Sequence, residues 1–127
     1  MKFFTSLILA LSLLASAKAE QHIIAFATLK TKSESVSTPK MDLYLGVETI
    51  GRAGFKIDNI KHTFALKSSA FEKDGKFHYA VALSLSDTKK DDFVVSEKGE
   101  TDTLKPMNFS FEKDGVSYTA TVNLVPK

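Results

Sequence analysis

Apolar and polar side chains alternate with a period of two along most of this chain, and that rhythm restricts it to β structure. Met41, Leu43, Leu45 and Val47 alternate with Asp42, Tyr44, Gly46 and Glu48. The same pattern runs over Ile60–Leu66, Phe77–Leu85, Met107–Phe111 and Val116–Leu124. Side chains two apart share one face of a strand, so each run predicts a strand with one dry and one wet face. Ile23 to Leu29 is apolar on both faces and predicts a more deeply buried strand. Gly51 to Gly54 reads as a break before a short Phe55-Lys56-Ile57 strand. Thr88–Asp92 and Ser96–Lys105 read as charged loops around a short Phe93-Val94-Val95 strand, and the Ser- and Thr-rich Lys32–Pro39 as a connection. The expectation is an all-β domain, a single small antiparallel β-sandwich or partly closed barrel of about seven strands.

A five-residue repeat fixes the register of two strand pairs. Phe71-Glu72-Lys73-Asp74-Gly75 recurs as Phe111-Glu112-Lys113-Asp114-Gly115, each time between two alternating runs. Paired residues in an antiparallel hairpin share a face, so the apolar phases on the two sides must agree. A two-residue Asp74-Gly75 loop pairs Lys73 with Lys76 and Leu66 with Leu83, which satisfies that condition. A three-residue loop would set the two apolar faces on opposite sides; a four-residue loop keeps the parity. The second copy places Phe109 opposite Ala120 and Met107 opposite Val122. Asp-Gly suits the type I′ turn, whose twist matches that of the strands it joins. The repeat fits a duplicated unit or one turn solution used twice.

The N-terminus carries the three parts of an export signal. Lys2 supplies positive charge, Phe3–Ala15 an apolar run, and Ala17-Lys18-Ala19 the small residues of a cleavage site. The run is about 13 residues, whereas a membrane-spanning helix needs roughly 20. Residues 1–19 are therefore read as a signal peptide and 20–127 as a single all-β domain of 108 residues, exported to the periplasm or secreted, without a stable membrane anchor. Of 17 basic and 15 acidic residues, Lys2 and Lys18 leave with the signal, so 15 of each sign remain. That balance gives no reason to expect nucleic acid as a partner. The chain has no cysteine, so packing and sheet hydrogen bonds must hold the domain without disulfides.

No set of residues has the spacing of a catalytic or metal centre. His22, His62 and His78 are far apart in sequence, and no cysteine can complete a zinc site. His62 falls on an apolar strand face, the place of a hydrogen-bonded structural histidine. There is no Gly-x-Ser-x-Gly, no thiol nucleophile, and no calcium-loop pattern among the acidic residues. The expectation is no enzyme, no cofactor and no metal.

One stretch resembles a known family. Ser37-Thr38-Pro39-Lys40, a strand running to Gly46, and a second strand pair turning at Phe71-Glu72-Lys73-Asp74-Gly75 are similar to the β-rich module of secretin-type envelope proteins over roughly residues 27 to 86. The chain lacks the long amphipathic hairpins of a pore. The resemblance therefore implies a small soluble relative of that module in a bacterial envelope, and it carries over no functional residue.

The functional expectation is an accessory module that binds another envelope or extracellular protein through a sheet face or an exposed edge strand. His78, Ala80, Ala82 and Ser84 form the candidate face, because small side chains leave a flat surface for a partner. The alternative is a secreted inhibitor that blocks a hydrolase with the Ser96–Lys105 loop.

Overall fold

A computed structural model describes residues 22–44, 46–87 and 92–127. The export signal read at residues 1–19 lies outside the described residues, as does most of the Thr88–Asp92 loop. The described residues hold nine strands and no helix: β1 (Ile23–Lys30), β2 (Ser35–Ser37), β3 (Met41–Leu43), β4 (Thr49–Ile57), β5 (Ile60–Lys73), β6 (Lys76–Ser86), β7 (Phe93–Thr101), β8 (Met107–Lys113) and β9 (Val116–Pro126). No helix among these residues is long and apolar enough to cross a membrane.

The strands form two antiparallel sheets. In sheet I the order is β2-β1-β9-β8, with β3 taking the other half of β1's outer edge. Sheet II is a meander of neighbours, β4-β5-β6-β7. Neither sheet closes into a barrel. The alternation explains the core directly: Ala25, Ala27, Leu29, Tyr118, Ala120 and Val122 point inward from sheet I, and Phe64, Leu66, Val81, Leu83 and Leu85 from sheet II. Both sets belong to one apolar cluster.

Hairpin turns follow the register argument. Lys73 pairs with Lys76, Leu66 with Leu83, Phe109 with Ala120 and Met107 with Val122. Asp74 and Gly75 have φ of 55° and 79°, and Asp114 and Gly115 have 53° and 79°. Positive φ at both central residues is the type I′ signature. A third hairpin of the same kind joins β4 to β5, with Asp58 at 52° and Asn59 at 67°. Asn and Asp tolerate this conformation because their short side chains bond locally to the backbone.

Three expectations need correction. The strand count rises from about seven to nine, with β2 formed inside the expected Lys32–Pro39 connection, and the strand expected over Met41–Val47 shortens to β3, because Gly46 turns at a φ of 74° and Val47 is left exposed. Gly51–Gly54 does not break the chain but lies inside β4, paired with Leu66, Ala65, Phe64 and Thr63. Gly51 is buried where Met41 of β3 crosses, and a Cβ there would come within 2.7 Å of the Met41 sulfur. The glycine thus marks a close approach between sheets, as isolated strand glycines often do. Finally, Ser96–Thr101 belongs to β7 rather than to a loop. Its charges obscure the alternation because β7 is an edge strand, where charged side chains suit two wet surfaces.

Candidate functional site

The outer face of sheet II is assembled from side chains that alternate with the core positions. On β5 the even residues Phe64, Leu66, Ser68 and Ala70 are buried, so the odd residues point outward. Register then carries that face across the sheet. Lys56 sits opposite Lys61, Arg52 opposite Ala65, Lys67 opposite Ala82, and Lys73 opposite Lys76. Ala80 sits opposite Lys98, and His78 opposite Glu100. Seven basic residues therefore occupy this face, while register places only Glu100 among the acids.

Two of those pairings set lysine directly against lysine. Like charges at opposed positions destabilise a sheet by a few tenths of a kcal/mol up to about 1 kcal/mol in water. The chain carries that penalty twice, once beside each hairpin turn of sheet II. Two large apolar side chains, Ile50 and Phe71, are also exposed on this face, at 40% and 42%.

The residues singled out from sequence lie on β6 in the middle of it. Ala80 is exposed and Ala82 half-buried. They floor a shallow depression of about 420 Å³, whose rim includes Glu48, Lys67, Ser96 and Lys98. His78 is half-buried, stacked on the Phe71 ring at 4.9 Å, with its Nε2 3.8 Å from Glu100. Ser84 differs: at 1% exposure it is buried, and so is its neighbour Ala65. The accessible part of the face thus runs from Ala82 to Lys76 and leaves Ser84 out.

Elsewhere the polar groups serve the fold. His62 is buried on the inner face, where its Nδ1 donates to the Ile60 carbonyl at 2.9 Å and its ring stacks on Phe55. This is the structural role its position predicts. The Tyr79 hydroxyl donates to Glu97 Oε2 at 2.8 Å. That bond, then burial, then the carboxylate charge hold the Tyr79 hydroxyl above its ordinary pKa. Glu97, which pairs with the buried Val81, lies on the same inner-facing side as Tyr79 and is held there. Tyr118 is also raised, by burial first and by the Asp114 charge second. Among the described residues no group of three or more His, Cys, Asp or Glu is placed to hold a metal ion. Residues 102–106, what remains of the charged loop, bend back so that Leu104 packs against the core.

Sequence reasoning found the small residues of the face and missed its charge. The lysines come from four strands, and only the register brings them together. Comparison with known families, with curated proteins and with solved structures finds no match.

Proposed function

We propose that the chain is an exported β-sandwich domain that binds another protein of the envelope or extracellular space through the outer face of sheet II. One observation carries the reading: the floor of exposed Ala80 and half-buried Ala82 opens into a depression rimmed by long polar side chains. The N-terminal charge, apolar run and cleavage residues support export. A flat face of short side chains lets a second backbone approach without displacing bulk.

The test uses the domain from Glu20 onward as bait in extract from its own cells. The expected outcome is a stoichiometric protein held by the native domain and lost from the Ala80→Lys, Ala82→Lys variant, whose β-type circular dichroism and melting temperature stay native. Equal retention by both would remove this face from the reading. Sequencing the N-terminus of the exported product checks the other half, and intact Met1 in the cytoplasm would overturn export.

A further inference from the structure

We propose that the segment bound on sheet II is extended and acidic, lying along β6 from Ala82 to Lys76. This rests on the protein-binding reading above and names the chemistry of its partner. Charge complementarity is the ground for it. A domain whose acidic and basic residues balance overall nevertheless gathers seven cations on one sheet face. Such a face focuses a positive potential outward and attracts opposite charge.

Geometry selects the kind of anion. Lys67 on β5 lies beside Ala82 and Lys98 on β7 beside Ala80, so the two lysines flank β6 diagonally, one outward-facing row apart. Strands two apart in a sheet are separated by about 10 Å, which is also the spacing of stacked β layers. One extended chain fits between those lysines and rests on the alanines. The floor from Ala82 to Lys76 is roughly 20 Å long, enough for about six extended residues. At its far end Lys73 and Lys76 stand opposed, and a carboxylate between them would turn their repulsion into attraction. A bilayer surface would touch the tips of the lysines and leave the alanine floor unused, so the observations favour a peptide.

Three carboxylates border the site. Glu97 is held by the Tyr79 hydroxyl. Glu100 lies beside His78. Glu48 is the remaining carboxylate on the rim.

The experiment titrates the domain from Glu20 onward with a labelled ten-residue peptide of alternating Glu and Thr, its Gln-Thr counterpart, and phosphatidylglycerol vesicles. The Glu peptide should bind, the Gln peptide should not, and added salt should weaken binding. Lys98→Glu and Lys76→Glu should each weaken it by about fivefold, the size expected of exposed charge pairs. Asp42→Lys, on sheet I, should leave it unchanged. Both lysines are exposed, so these variants keep the fold. Equal binding of the Gln peptide, no binding of either peptide, or binding of vesicles alone would each overturn the proposal. If a cellular partner is lost from the Ala80→Lys, Ala82→Lys domain but held unchanged by Lys98→Glu, the protein-binding reading stands and the acidic segment falls.

Discussion

The outer faces of the two sheets are built on opposite principles. Sheet I carries, beside the apolar Ile24, Phe26 and Val125, a row of short hydroxyl and amide side chains on its wet side that complete one another across strands. Thr28 Oγ1 lies 3.0 Å from Ser37 Oγ, and the Thr121 hydroxyl donates to Asn108 Oδ1 at 2.9 Å. Register continues this as Ser37–Thr28–Thr121–Asn108 across all four strands of the row. Sheet II instead opposes lysine to lysine. Cross-strand pairs are the unit of sheet stability, so the first face contributes to folding and the second detracts from it. A surface that costs stability and concentrates one sign of charge is where a partner has most to offer.

The turns supply the control for that contrast, because both sheets use the same one. Gly75 and Gly115 share a φ of 79°, and neither has any atom within 4 Å of where a Cβ would sit. Space is therefore no obstacle and the backbone conformation alone resists substitution. Valine at either site should destabilise by about 1–2 kcal/mol, and asparagine by much less, with the two hairpins alike. Urea denaturation of the four variants measures this. A Val-to-Asn gap in one hairpin and none in the other would show that the turns differ despite their common sequence.

These hairpins also mark how far the sequence could be read. β5, β6, β8 and β9 were legible because each has one dry face, and a register slip of one residue would bury its polar side. β4 was not, since its inner face includes Gly51 and Ala53, small residues with weak apolar signal. The Asp58-Asn59 turn lacks the glycine that flags its two siblings. The charged half of β7 hides its alternation because both its surfaces are wet. The alanine stripe of β6 was visible in one strand. The basic face was not, because its members come from positions 52 to 98 and the even count of basic and acidic residues over positions 20–127 conceals them.

A smaller effect tests whether sheet I's outer face stabilises itself. Thr121→Ala removes the donor to Asn108 while keeping the strand. It should cost about 0.5–1 kcal/mol by thermal or urea unfolding. The corresponding cut on sheet II, Lys98→Ala, should cost nothing measurable. If the two losses prove equal, hydroxyl pairing does not distinguish the faces and the contrast between them fails.

The smallest effect carries the sharpest sign. Lys76→Glu turns the Lys73–Lys76 opposition into an attractive pair, so the domain should gain up to about 0.5 kcal/mol at low ionic strength. At the matching hairpin of sheet I the arrangement is reversed. Lys113 lies 3.6 Å from Asp114 and opposite Val116, so it has an attractive neighbour and no repulsive one across the strand. Lys113→Glu should therefore destabilise by a similar small amount. Both differences should shrink as salt approaches 1 M, where screening acts within about 3 Å. Opposite signs at low salt, converging at high salt, would establish that repulsion on sheet II is real and electrostatic. Lys76→Glu should at the same time weaken the acidic peptide, so that one substitution strengthens the fold and impairs binding. A variant that lost stability and kept its peptide would show that the lysines of this face serve the fold, and the case for a binding surface would then have to rest on the alanine floor alone.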